Sequence, residues 1–269
     1  NKCIKKFKIK KIKALIIMYN GGYPNNAEKF CDLKKKKDFF LIEDACHALG
    51  AKYKVKNKTF KIGSCKHADI STFSLHPLKT ITTGEGGIVT TNSKTINEKV
   101  KKFRSLGIEK SKKFHWKYDV VYRGYNFRLN EFQSSLGRNQ LKKIKKFISY
   151  RKKVSNIYDK KLSSIEDIDL PKAKSKYESS YHLYLINLKK PNLKVKEKFI
   201  QYMVNNNIYV QYHYIPIYKF KIFKDKFINV NSEKYYKSTI SLPIYYNLKI
   251  KDQNYIINKI KNFFVKKFK

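Results

Sequence analysis

LIEDACHALGAKYKVKNKTFKIGSCKHADISTFSLHPLKTITTGEGGIVTTN, Leu41 to Asn92, sets a carboxylate (Asp44), a hydroxyl (Ser74), a lysine (Lys79) and a Gly-Glu-Gly-Gly turn (Gly84 to Gly87) in one order, separated by segments that read as strands. The apolar run Phe39, Phe40, Leu41, Ile42 is short and unbroken, as expected of a parallel strand buried on both faces, and it delivers Glu43 and Asp44 at its carboxyl end. Ligands of open α/β sheets bind at that end. Asp69 to Phe73 reads as a second such strand ending at Ser74, with His76, Pro77 and Lys79 on its loop, and Gly87 to Thr91 reads as a third. The turn between them calls for glycine, because its backbone must take positive φ or lie close to another chain or ligand. An acid and an amine far apart in sequence thus meet at one edge of one sheet.

Outward from this stretch the pattern continues as α/β. The chain starts at Asn1 and its only methionines are Met18 and Met203, so the sequence is read as trimmed or incomplete at its amino end. Ala14 to Met18 is a buried-strand run followed by a Gly21, Gly22 and Pro24 turn; it is too short to cross a membrane and no signal peptide is recognisable. Ala27 to Lys37 and Ile96 to Leu106 have helical spacing, and Gly107 to Val121 reads as a polar and aromatic loop. Asn130 is placed as an N-cap, with Glu131 opening one long helix that runs through Leu141 and Phe147 to Val154 and links two domains. Beyond Glu166 come a strand (His182 to Leu188), a helix (Val195 to Asn206), a strand (Tyr209 to Tyr212) and a closing helix (Lys251 to Phe268). The expected division is a large α/β domain over 1–150 and a smaller α+β domain over 151–269.

The formal charge of +41 suggests a polyanion as partner. Only five of the 61 basic residues are arginine, the residue whose bidentate fork recognises phosphates and base edges, and the lysines are scattered through every expected helix. Asn, Ile, Tyr and Phe are enriched beside them, as an A+T-rich coding sequence would produce. Nucleic-acid binding is therefore not favoured. Cys3, Cys31, Cys46 and Cys65 form no CxxC pair and no zinc-site spacing with the histidines, so no metal is expected and reduced, cytoplasmic thiols are the simple reading.

IEDACHALGA followed by STFSLHPLKTITTGEGG resembles the DegT-type family of pyridoxal-phosphate (PLP) dependent nucleotide-sugar aminotransferases, whose architecture is fold-type I. The wording SLHPLKTITTGEGG is most similar to the branch that aminates UDP-4-keto-6-deoxy-N-acetyl-hexosamines on the way to pseudaminic acid. RGYNFRLNEFQSSLGRNQLKKI, SYHLYLINL, VQYHYIPIY and ISLPIYYNL carry the resemblance through the rest of the chain. It implies that Lys79 forms the Schiff base with PLP and shuttles the proton, and that Asp44 pairs with the pyridinium nitrogen. It also implies that His47 approaches the ring hydroxyl, that Ser74 binds the cofactor phosphate, and that Asn126 reaches the phosphate of a neighbouring subunit in a homodimer with shared sites. His213 and Tyr214 come to lie near the substrate cleft, and glutamate is the implied amino donor. The segment before the first strand, roughly a third of a family chain with a phosphate-binding helix start and a ring-stacking aromatic, is expected to be missing here.

Each residue alone has a plainer use. Asp44 can cap a helix starting at Ala45, His47 can be a packed histidine on that helix, and His76 can shape its loop. Ser74 and Asn126 can be ordinary strand-end and turn residues, His213 is equally a half-buried strand residue, and a lysine is usually solvated. The joint order and spacing favour a site. The rival readings are a remnant or split enzyme that needs a separate amino-terminal piece, and a basic nucleic-acid-binding protein.

Overall fold

The apolar run ALIIM forms strand β1 (Ala14–Met18) in the computed structural model, which describes residues 11–171, 176–223 and 228–266. Helix α1 (Ala27–Lys37) follows, its last turn carrying four lysines that complement the negative end of the helix dipole. Asp38 ends it in the left-handed region with its N–H on the Lys34 carbonyl at 2.9 Å. Strands β2 (Phe40–Asp44), β3 (Lys52–Val55), β4 (Lys58–Lys61), β5 (Ile70–Ser74) and β6 (Gly87–Thr90) come next. Four of these make one sheet in the order β1-β2-β5-β6, parallel throughout except for β6, which runs antiparallel to β5. The sequence missed β3 and β4, where lysines alternate with Tyr53, Val55 and Phe60 to make a hairpin.

Register fixes the two faces of this sheet. Ile17, Glu43 and Ser71 line one face, and Ile16, Ile42 and Ile70 the other. Helix α1 and the β3–β4 hairpin cover the first face, where Ile17, Leu41, Phe73, Ala27 and Tyr53 share one apolar cluster with Phe30, Leu33 and Phe60 packed against it. The second face is open: Ile16 is 67% exposed and Phe40 56%, with Met18 and Val89 exposed beside them. The expectation that β2 is buried on both faces is thereby corrected; an apolar run shows a tendency to be covered, not that something covers it.

The chain divides into two compact units, one holding the described residues within Asn1–Lys145 and Lys174–Ser180, the other those within Lys146–Ala173 and Tyr181–Lys269. The first continues with α2 (Lys94–Arg104), capped by Ser93 Oγ on the Ile96 N–H, and with strands β7 (Ile108–Lys110) and β8 (Tyr118–Val120), a hairpin inside the expected loop. Helix α3 (Glu131–Lys142) opens with the expected Asn130 cap, here a full capping box with Gln133. It breaks at Lys143 before α4 (Ile144–Leu162), so the single long helix of the sequence reading is two, because apolar periodicity runs through the break unchanged.

The second unit is a small antiparallel sheet centred on β9 (Tyr184–Leu188), with helices α4, α5 (Leu193–Asn205), α6 (Val230–Ser238) and α7 (Ile250–Lys266), and strand β10 (Thr239–Leu242) paired beside β9. Tyr158, Ile186, Phe199, Met203, Ile240 and Ile260 are its core. Residues 209–212 make only one bridge, Gln211 to Ser241, in place of the expected strand. Arg151 is buried among carbonyls, donating to Ile244 O at 2.9 Å and His182 O at 3.1 Å, and burial pushes its guanidinium down to about 10. Cys3 and Phe268 lie outside the described residues; Cys31, Cys46 and Cys65 are free thiols.

Lys196 on α5 is 1% exposed. Its amine donates to the Tyr236 carbonyl at 2.6 Å and sits 4.0 Å from the Tyr212 ring centroid and 4.9 Å from that of Tyr236, and burial pushes it down to about 8. Between that value and the ordinary lysine range the unfolded chain holds a proton the folded one has lost, so folding gains stability as pH rises. The difference in unfolding free energy between pH 10 and pH 7 should therefore be larger in the wild type than in Lys196→Met, by about 2 kcal/mol, measured by denaturant titration.

Candidate active site

Glu43 and Asp44 end β2 pointing to opposite faces, and their fates differ. Glu43 is buried and accepts hydrogen bonds from the Tyr19 hydroxyl at 2.9 Å, the Ser71 hydroxyl and the Gly63 N–H at 3.4 Å. Burial and the neighbouring Glu43 push the Tyr19 and Tyr53 phenols well above their usual range, which keeps both protonated. Asp44 stands on the open face, paired in register with Met18 and Thr72, and accepts the Cys46 N–H at 3.1 Å. Residues 45–50 form turns rather than the helix considered for Ala45 and His47.

Ser74 ends β5, one strand period beyond Thr72 on the same face. Its oxygen accepts the His76 N–H at 3.3 Å, which leaves its own proton for an incoming acceptor. Lys79 sits half-buried in the loop that follows, its N–H on the His76 carbonyl at 2.9 Å. Burial lowers the Lys79 pKa, while Cys46 and Asp44 beside it pull the other way. The Cys46 thiol is pushed up to about 11 by burial and by Asp44, and lies against the Ser74 backbone. Asp44, Cys46, Ser74 and Lys79 are thus one cluster; Cys46 went unnoticed in the sequence because no spacing rule singles out a lone thiol.

The Thr82 to Gly87 turn holds this loop in place. Thr83 Oγ1 donates to the Glu85 carbonyl at 2.7 Å, Leu75 N–H to the Gly86 carbonyl at 2.9 Å, and Gln133 of α3 to the Glu85 carbonyl at 3.1 Å. A Cβ on Gly86, where φ is +153°, would come within 2.5 Å of Thr83 Oγ1 and 2.9 Å of Leu129, so this turn admits only glycine there. Gly137 likewise lets α3 close on Thr83, a Cβ there meeting its methyl at 2.8 Å.

The other expected residues have partners of their own. His47 is buried, its Nδ1 accepting the Gly21 N–H at 3.3 Å and its carbonyl the Ser180 hydroxyl at 2.6 Å. Asn126 is exposed; it bridges to Ser105 and its Oδ1 accepts from Arg128 at 2.9 Å. His213 and Tyr214 belong to the second unit, where His213 Nδ1 is hydrogen-bonded to Ser241 Oγ and the two rings meet edge to face at 4.8 Å. Among the described residues no group of three or more His, Cys, Asp or Glu is arranged to hold a metal.

An aldehyde-bearing, anionic pyridine cofactor needs an amine with a neutral fraction, a carboxylate for the ring nitrogen and a hydroxyl for the phosphate. Lys79, Asp44 and Ser74 have that chemistry and fit it. Residues 2–261 match the family described as DegT/DnrJ/EryC1/StrS aminotransferase. The chain belongs to this family. It is 36% identical over 248 residues to the UDP-4-amino-4,6-dideoxy-N-acetyl-beta-L-altrosamine transaminase of Campylobacter jejuni, a match covering 91% of this chain and 64% of that relative. The structure of Helicobacter pylori PseC, an aminotransferase involved in pseudoaminic acid biosynthesis, superposes with a TM-score of 0.89 at 32% identity, over 98% of this chain and 70% of that one. A sugar aminotransferase from Streptococcus pneumoniae in its PLP form superposes with a TM-score of 0.81 at 25% identity, over 94% of this chain and 69% of that one. This family member therefore spans 64% of the length of its Campylobacter relative.

The Lys79 environment has a measurable signature. After reductive methylation with labelled formaldehyde, the Lys79 signal should titrate below those of the exposed lysines. Because Asp44 raises the Lys79 pKa, Asp44→Asn should lower it further; a Lys79 signal unmoved by Asp44→Asn would show that the pair is not coupled.

Proposed function

We propose that this chain carries the PLP-binding and catalytic residues of an aminotransferase acting on a UDP-4-keto-6-deoxy-N-acetylhexosamine, with glutamate as amino donor. The observation that carries this reading is the half-buried Lys79 on the loop after β5, its pKa lowered by burial and raised by Cys46 and by Asp44 at the end of the adjacent parallel strand. Bound PLP supplies an aldehyde and an electron sink. Lys79 Nζ, with its enlarged neutral fraction, would hold the cofactor through its aldehyde and serve as the base for the proton at the amino-bearing carbon. Asp44 would hold a proton on the ring nitrogen, Ser74 Oγ would donate to the phosphate, and His47 is assigned to the ring hydroxyl by the family resemblance. The Campylobacter and Helicobacter relatives support the sugar class by their names. No helix among the described residues is long and apolar enough to cross a membrane.

A homodimer with shared sites is part of the same proposal. Trp116, Tyr118, Tyr125 and Phe127 are exposed, and Phe132, at 88%, lies on α3 beside the loop carrying Asn126. A cluster of exposed aromatics of this kind marks a protein interface. A second copy covering it brings Asn126 toward the partner's cofactor phosphate.

A second reading, that the chain is one piece of a split enzyme and inactive without further polypeptide, draws on its spanning 64% of the Campylobacter relative. Incubation with PLP followed by borohydride and peptide mapping separates the two. A visible absorbance band trapped on Lys79, and lost in Lys79→Ala, supports a working site in this chain. The same band and adduct persisting in Lys79→Ala would overturn the assignment, and scattered labelling of surface lysines would favour the split reading. Sedimentation should show a dimer that Tyr118→Glu with Phe132→Glu converts to monomer.

A further inference from the structure

The second unit carries a cavity that the aminotransferase chemistry leaves unused. Its volume is about 380 Å³, and it opens where the turn after α5 meets the loop between β10 and α7. Leu248 and Ile256, both buried in the core of this unit, form its apolar floor. Three tyrosines line it and yet remain open to water: Tyr209 is 70% exposed, Tyr245 48% and Tyr255 46%. Asp252, in the first turn of α7, and Asn207, just after α5, add two polar groups. Tyr209 precedes and His213 follows the bridge from Gln211 to Ser241, so the cavity lies at the end of this strand pair away from the residues expected near the substrate cleft.

The walls are held in place by the backbone around them. Asn207 takes a φ of +58° with its N–H on the Val204 carbonyl at 2.9 Å. The Leu248 carbonyl accepts the Tyr150 hydroxyl at 2.9 Å, and the Tyr255 hydroxyl donates to the Asn206 carbonyl at 3.4 Å. A concave apolar floor with a few convergent polar groups is the general form of a small-molecule site. Two ligand classes suit tyrosine faces beside a carboxylate: the C–H face of a pyranose ring, and an organic cation. Lys259 lies 5.2 Å from the Tyr255 ring centroid and already takes a cation's place over that ring, and the formal charge of +41 repels another cation. The polar atoms call for hydroxyl groups instead. The Asp252 carboxylate and the Tyr209 and Tyr245 hydroxyls have no hydrogen-bond partner among the described residues, and a carboxylate only accepts.

We propose that this cavity binds an uncharged pyranoside, as a second site separate from the cluster of Asp44 and Lys79. The C–H face of the sugar stacks on the tyrosine walls, where polarised C–H bonds meet the negative faces of the rings. Adjacent hydroxyls donate to the Asp252 carboxylate, and the Asn207 amide donates in return. Such a site adds affinity for a sugar-bearing molecule without taking part in the chemistry. The inference rests on these side chains alone and stands whether or not Lys79 takes PLP.

The test is saturation-transfer NMR on the 269-residue chain, with methyl β-D-glucopyranoside, methyl N-acetyl-β-D-glucosaminide and cellobiose as probes. At least one should bind saturably, with a Kd of about 1 mM. Tyr245→Ala with Asp252→Ala removes two exposed side chains, so the circular dichroism spectrum should be unchanged while the affinity falls about tenfold or more. Tyr209→Ala, read independently, should weaken binding as well, whereas Lys79→Ala should leave the affinity as it is. Tetramethylammonium, the cation probe, should not displace the glycoside. Absence of saturable binding by all the glycosides overturns the proposal, as does binding that survives the double substitution. Binding lost in Lys79→Ala overturns it because the sugar then sits at the Asp44–Lys79 cluster, and displacement by tetramethylammonium overturns it because the cavity then takes cations. Borohydride trapping at Lys79, scored separately, reports on the cofactor reading alone.

Discussion

The buried carboxylate of Glu43 is the constraint on which the first unit depends. A carboxylate out of water is tolerated only where donors replace the lost hydration, and three elements converge to supply them: Tyr19 after β1, Ser71 on β5 and Gly63 before it. Because strand side chains alternate, holding Glu43 in the closed face aims Asp44 at the other one. The register that gives Glu43 its Ser71 hydroxyl also sets Asp44 beside Thr72. The direction of the candidate acid is thus a consequence of its neighbour's burial, and loosening the Tyr19–Glu43–Ser71 network would misplace Asp44 without touching it.

Among the described residues burial lowers the pKa of two lysines in this strongly basic chain, and their settings differ. Lys196 is enclosed by a carbonyl and two tyrosine faces, an arrangement that satisfies the amine and offers nothing to a ligand. Lys79 is only half-buried, on a loop fixed by Thr82, Thr83 and Gly86, and feels the field of Asp44 at the end of a neighbouring strand. Burial lowers both amines; access distinguishes them. Net charge therefore says little about which lysine matters, since what separates Lys79 from the surface is a turn that only glycine can make.

What the sequence disclosed follows from how local each feature is. β1 and α1 were legible to the residue because an apolar run and a lysine-flanked amphipathic stretch end at their own turn residues. The Asn130 cap was legible for the same reason. The β3–β4 hairpin was not, because its lysines hide the alternation of Tyr53, Val55 and Phe60, and the break at Lys143 was not, because apolar spacing continues across it. The order of Asp44, Ser74 and Lys79 was visible, but the Cys46 thiol among them was not, since its place depends on a turn at 45–50 that displaced the considered helix.

Coverage of a face is the least legible property of all, and here it bears on the chemistry. The run from Phe39 to Ile42 has the composition of a strand dry on both sides, yet only the Leu41 side is dry. A carboxylate facing water exerts a weak field on a ring nitrogen, whereas the same carboxylate in a water-poor wall exerts a strong one. Asp44 stands on the exposed face of the sheet, while Glu43 stands on the covered one.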